Sequence, residues 1–110
     1  MPHPLPPALV ERVAERFRVL GEPMRIRLLE VLRDGEASVS DLQSAVGASQ
    51  QNVSQHLGVL ARAGVVGRRR EGNFVLYSIV DPVVFDLCEL VCGGLRREVE
   101  ELDAMLAGEG

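Results

Sequence analysis

Residues 38–63 hold two short runs in which apolar side chains recur at three- and four-residue steps, with only Gly47-Ala48 between them. Leu42 and Val46 lie in the first, and Val53, Leu57 and Leu60 in the second. Such steps mark helices with one buried face. Neither helix is long enough to be stable alone in water, so other parts of the chain must cover both stripes. Ser38 or Ser40 suits the cap of the first helix and Ser49 that of the second, while Gly47 and Ala63-Gly64 end them. Two short helices joined by a Gly-containing turn make a helix-turn-helix.

The flanking segments supply the cover. Val10, Val13, Phe17 and Leu20 predict an amphipathic helix that stops at Gly21. Pro23 suits the first turn of another, whose apolar positions Ile26, Leu28, Leu29, Val31 and Leu32 run to Asp34-Gly35. After Gly64 the period changes from near four to two. Val65 and Val66 lead into Arg68-Arg69-Arg70 and, past Glu71-Gly72-Asn73, into FVLYSI, which reads as a β-hairpin over 65–80. Asp81-Pro82 opens a last helix over 82–106, with an apolar line of Val84, Cys88, Val91, Leu95, Val99, Leu102 and Leu106. That seam is coiled-coil-like and longer than so small a domain can cover, so a second subunit is its natural partner. The fold class is therefore mainly α with one β-hairpin, as a single domain over 1–110, with residues 1–7 expected to be disordered. Aromatic residues make up 4% with no Trp, so Leu and Val must build the core. The Pro-rich start resembles no signal peptide and no span is apolar enough for a membrane, so a cytoplasmic protein with two reduced cysteines is expected.

A net charge of −4 looks wrong for binding a polyanion until it is divided along the chain. Residues 1–47 carry six Arg against seven acids, 48–80 four against one, and 81–110 two against eight, leaving −1, +3 and −6. The basic middle suggests one face that meets polyanion, with the acidic end kept away from it. No cation is Lys, so phosphate contacts can be bidentate.

With Val53, Leu57 and Leu60 inward, Gln51, Gln55, Gly58 and Arg62 point outward, Asn52 and Ser54 lie on the flanks, and His56 sits at the boundary. Amides and hydroxyls on one helix face suit base edges and phosphates of duplex DNA, and Gly58 permits close approach. A merely solvated helix face has the same composition. In the hairpin, alternation sends Arg68 and Arg70 to one side and Arg69 to the other, so at most two share a phosphate-facing side.

The stretches LGEPMRIRLLEVLRDGE, VSDL, GASQQNVSQHLGVLARAGVV and RREGNFVLYSI, in this order, resemble the ArsR/SmtB family of winged helix-turn-helix repressors over about residues 14–80. The SQxxVSxHL core is here Ser49, Gln50, Val53, Ser54, His56 and Leu57. The resemblance implies a homodimer through the first and last helices, bound to a palindromic double-stranded operator. The helix after Ser49 would lie in the major groove and the hairpin wing on the flanking backbone. Ser49, Gln50, Gln51, Asn52, Ser54, Gln55, His56, Arg62, Arg68, Arg69, Arg70 and Asn73 are the DNA-binding candidates. It also implies release by an inducer, often a metal or metalloid ion.

Two departures bear on that inducer. The arsenic and cadmium branch carries ELCVCDL where this chain reads EASVSDL, so Ser38 and Ser40 replace the thiolates. The zinc branch needs an Asp-x-His on the last helix, but Asp86 is followed by Cys88, and no His lies beyond His56. Cys88 and Cys92 remain. Four residues apart, their Cβ atoms lie ~5–6 Å apart on a helix, too far for an easy disulfide but within reach of a shared soft metal, metalloid ion or oxidant. Packing as small apolar residues is the competing role. Gly93-Gly94 either admits a close helix neighbour, permits a bend, or breaks the helix, and His3 reads as a terminal residue rather than a ligand.

No phosphate loop, carboxylate pair or nucleophile with a placed base is present, so no enzyme is expected. Three rivals are a regulator with no metal site that is constitutive or answers an organic ligand, a winged-helix protein-interaction module, and a thiol metal store. An exposed Arg triplet disfavours the second and a count of two cysteines the last.

Overall fold

The computed structural model describes residues 4–108. Helices α1 (Pro7–Leu20) and α2 (Pro23–Leu32) lead to a short strand β1 (Ala37–Ser38). Then come α3 (Val39–Val46), α4 (Gln50–Arg62), strands β2 (Val66–Glu71) and β3 (Phe74–Ile79), and α5 (Pro82–Gly108). This is the expected winged helix-turn-helix order, with one strand more than the hairpin. His3 lies outside the described residues. Pro7, expected within a disordered lead, is already helical, because a proline's fixed φ suits the first turn.

Among the described residues, the chain forms two compact units that meet in sequence after Val80. In the first unit, Leu28 and Leu29 of α2, Leu42 of α3, and Val53, Leu57 and Leu60 of α4 are essentially inaccessible. Val65 at the foot of the hairpin joins them. Leu and Val make this core, and the stripes on α3 and α4 are buried as their spacing predicts. The first helix differs. Leu20 and Val19 are buried, but Val10, Val13 and Phe17 stay exposed, as does Ile26 of α2.

Local chemistry sets the boundaries. Ser38 caps α3 through a reciprocal box: its hydroxyl accepts from the Asp41 N–H at 3.1 Å, and the Asp41 carboxylate accepts from the Ser38 N–H at 3.2 Å. The position that resembles a lost thiolate site thus has a structural use. Gly47 ends α3 in the left-handed region with φ 68°, which favours glycine. Arg27 donates from Nη2 to the Val46 carbonyl at 2.8 Å, tying α2 to the end of α3.

The sheet is antiparallel in the order β1-β3-β2, with Arg68 opposite Tyr77, Arg69 opposite Leu76, and Arg70 opposite Val75. The two-residue turn between the long strands places Gly72 at φ 61°, as tight hairpins require. β1 adds Ala37 opposite Tyr77 and Ser38 opposite Leu76.

The second unit is α5 alone, 27 residues long, with the Asp81 carboxylate accepting from the Val83 N–H at 3.0 Å at its start. Val91, Leu95, Val99, Leu102 and Leu106 are exposed along it. No described helix is long and apolar enough to cross a membrane.

Candidate nucleic-acid interface

α4 is the centre of the site. Ser49 starts it, its hydroxyl accepting from the Asn52 N–H at 3.1 Å, so this candidate works first as a cap. With Val53, Leu57 and Leu60 sealed inward, Gln50, Gln51, Ser54, Gln55 and Arg62 are exposed and Asn52 and Gly58 half-buried. An added Cβ at Gly58 would meet Arg62 Nη1 at 3.3 Å, so the glycine leaves the guanidinium room to fold back along the helix.

Beside this face, Ser54, Leu57, Gly58, Ala61, Arg62, Arg68 and Tyr77 line an open groove of about 580 Å³ between α4 and the hairpin. Two guanidinium groups and a phenol thus edge one concavity. Among the described residues, Arg62, Arg68 and Arg70 have no carboxylate partner. Their charge is available to an outside anion.

Arg69 is differently placed. Its Nε and Nη2 donate to the two Glu36 carboxylate oxygens at 2.6 and 2.9 Å, and Nη2 also donates to Glu71 at 2.8 Å. These bonds hold the Glu36 carboxyl below its usual range and raise the guanidinium still further. The strand alternation read from the sequence separates the three arginines, and the ion pairs give Arg69 a bracing task. Asn73 is exposed at the hairpin tip.

His56 is turned toward α2. Its Nδ1 lies 3.1 Å from Arg25 Nη1 and 3.7 Å from Glu22 Oε2, and its side chain is 18% exposed. Arg25 and Glu22 escaped the sequence reading because 31 residues separate Arg25 from His56. Tyr77 escaped too, although pairing the strands across Gly72-Asn73 would have set it opposite Arg68.

Cys88 and Cys92 lie half-buried on α5, and no disulfide joins them. Among the described residues, no group of three or more His, Cys, Asp or Glu side chains is placed to hold a metal ion.

Comparison with known proteins agrees with this geometry. A helix-turn-helix domain family matches residues 20–69. Rv0081, an HTH-type transcriptional regulator of Mycobacterium tuberculosis, is 45% identical over 94 residues, 84% of this chain and 82% of the relative. Its crystal structure gives a TM-score of 0.76 at 43% identity, covering 88% of this chain and 97% of that one. The antimony-specific transcriptional repressor AntR gives 0.80 at 38% identity, over 91% of this chain and 90% of its own. The homodimeric winged helix-turn-helix DNA-binding domain Mb0332 of Mycobacterium bovis gives 0.77 at 28% identity, over 91% and 95%. These relatives are regulators, not enzymes. With a capped α4 beside a basic hairpin, and with these relatives, the chain belongs to the ArsR/SmtB family of winged helix-turn-helix transcriptional regulators.

Proposed function

We propose that the protein is a cytoplasmic repressor that binds a palindromic duplex operator as a homodimer and is released by an inducer. The observation that carries this reading is the open polar face of α4 beside Arg62 and Arg68, two cations without carboxylate partners among the described residues. Gln50, Gln51, Asn52, Ser54 and Gln55 offer amide and hydroxyl groups to base edges and phosphates. Arg62, Arg68, Arg70 and Asn73 meet the backbone, which fixes register without reading sequence. Ser49 and Arg69 serve at one remove, as cap and brace. Binding to random duplex should weaken steeply as salt rises, by about 0.9 in log–log slope per phosphate neutralised. A parent protein whose affinity ignores salt, or that binds no duplex at low salt, would contradict the reading.

The homodimer is supported by apolar side chains that one chain leaves uncovered: Val10, Val13 and Phe17 on α1, and Leu95, Val99 and Leu102 on α5. Mb0332, described as homodimeric, is a structural relative. Two recognition helices about 34–36 Å apart would meet successive major grooves.

For the inducer, Cys88 and Cys92 are the candidates. Two thiols in one chain are an incomplete donor set, whereas two copies would bring four thiolates, which suit a soft metal or metalloid ion. AntR, a relative, is named for antimony. Thiols must ionise to bind, so loading should release protons. Zn²⁺, Cd²⁺, Cu⁺, arsenite and peroxide can be titrated against DNA complexes of the parent and of Cys88→Ser/Cys92→Ser protein. A hundredfold release, about 2.7 kcal/mol of coupling, is expected from one agent in the parent only. Equal responses would leave the cysteines as packing residues and the regulator constitutive or responsive to an organic ligand.

A further inference from the structure

His56 sits between Gln55 and Leu57 on the helix assigned to DNA, yet its contacts run inward. The Arg25 guanidinium, carried on α2, reaches both α1 and α4. Nε donates to the Val19 carbonyl at 2.6 Å and Nη2 to the Arg18 carbonyl at 3.4 Å. Both acceptors belong to the last turn of α1, where carbonyls lack partners within the helix. Nη1 lies 3.1 Å from His56 Nδ1. At the start of α2, the Glu22 carboxylate accepts from the Arg25 N–H at 3.0 Å and stands 3.7 Å from the same imidazole nitrogen.

The chemistry of this contact is constrained. A guanidinium has donors and no acceptor, so in the neutral ring a bond from Arg25 requires Nδ1 to accept and places the ring proton on Nε2. Arg25 is thereby a bolt through the end of α1, the start of α2 and the middle of α4. A recognition helix reads bases only when held within about 0.5 Å and 10–20° of its productive pose. The core stripe fixes which face of α4 turns inward. Apolar contacts are non-directional, whereas a charge-assisted hydrogen bond has a direction.

We infer that His56 is a positioning residue. Acting through Nδ1 and Arg25, it sets the pose of α4, and it does not itself read a base. The inference rests on the proposed DNA-reading role of α4.

The two imidazole nitrogens can be imitated separately. An asparagine amide oxygen can occupy the place of Nδ1, whereas glutamine extends toward that of Nε2. The parent, His56→Asn, His56→Gln and Arg25→Gln proteins would be titrated with a duplex enriched from a random pool by the parent, and with scrambled duplex, across salt. We expect His56→Asn to stay within about threefold of the parent. His56→Gln and Arg25→Gln should lose roughly tenfold or more on the enriched duplex, the size of one charge-assisted bond. Salt slopes should stay unchanged, because every phosphate partner is kept. A merely structural role would lower the melting temperature without changing the ratio of enriched to scrambled affinity. Rescue by glutamine but not asparagine, equal loss in both, a ratio that does not change, or no loss in any variant would overturn the inference.

A second readout needs neither variants nor DNA. Nitrogen-15 spectra of the parent imidazole should show an unprotonated Nδ1 and a protonated Nε2 in neutral His56. The opposite tautomer would overturn the inference even if the variants fail to fold. A parent that binds no duplex would instead defeat the DNA-reading proposal and leave this tautomer result standing.

Discussion

α4 and α5 carry the same kind of apolar stripe and meet different fates. Leu57 in the middle of α4 has no exposed surface, whereas Leu95 and Leu102 on α5 keep 56% and 55% of theirs. Periodicity states which face of a helix is apolar. It does not state whether the same chain covers it. The stripe on α4 is one of several facing sides of a small core, while α5 is a single helix forming its own compact unit. A chain that leaves such a seam open has material for assembly, and a sealed stripe has material for stability.

Substitution at the two seams separates these roles most sharply. Leu57→Ala should destabilise the first unit by about 2–5 kcal/mol, because a fully buried leucine leaves a cavity. Leu57→Asp should prevent folding outright. Leu95→Asp or Leu102→Asp should leave helical circular dichroism largely intact while converting dimers to monomers and losing operator binding. If Leu95→Asp unfolded the chain as Leu57→Asp does, the distinction between the two stripes would collapse.

The hairpin offers a smaller contrast of the same kind within three consecutive residues. Arg68→Ala/Arg70→Ala should reduce the magnitude of the salt slope by about 0.9 for each phosphate that is no longer neutralised. Arg69→Ala should leave the slope near the parent's, because Glu36 and Glu71 already hold that guanidinium. Equal slopes for the two proteins would mean that strand face does not decide which arginine meets DNA.

Smaller again is the effect of removing the Tyr77 hydroxyl from the groove. Tyr77→Phe should weaken duplex binding by about threefold to tenfold, in keeping with one net hydrogen bond of about 0.5–1.5 kcal/mol. Parental affinity in a fluorescence anisotropy titration would remove Tyr77 from the interface.

The smallest effect expected is a pH dependence. Arg69 lowers the Glu36 pKa in the folded chain, so the unfolded chain binds the proton more readily. The associated stability is present above the ordinary carboxylate value of 4.5 and is lost as pH falls below it toward the depressed folded value. Both side chains are exposed, so the slope should be shallow. Denaturant titrations between pH 6 and 3 should show Glu36→Gln losing less stability on acidification than the parent, and identical acid profiles would count against the pairing.

Much of this was legible because it is local. Helix spacing, the Ser38 and Ser49 caps, Gly47 as a stop and the change to period two are all decided within a few residues. What escaped depends on distant partners. β1 is two residues long, too short to show alternation, and exists because Ala37 and Ser38 find an open edge at Tyr77 and Leu76. Arg69 reads as a member of a basic run until Glu36, 33 residues away, is seen to hold it. His56 lies at the boundary of its helix on any wheel, and only the position of Arg25 decides which way the ring turns. The first-helix stripe was legible as a pattern, but Val10, Val13 and Phe17 were not identifiable as uncovered.

If α5 leaves its seam for a second copy while α4 presents its polar face to DNA, one experiment should show both. Sedimentation of the parent at micromolar concentration, alone and with a symmetric duplex enriched from a random pool, tests the two halves together. We predict a dimer in the absence of DNA and two chains per duplex in its presence, with the complex dissolving as salt rises. A monomer that stays monomeric on the duplex would contradict the role given to α5, and a dimer that ignores the duplex at low salt would contradict the role given to α4.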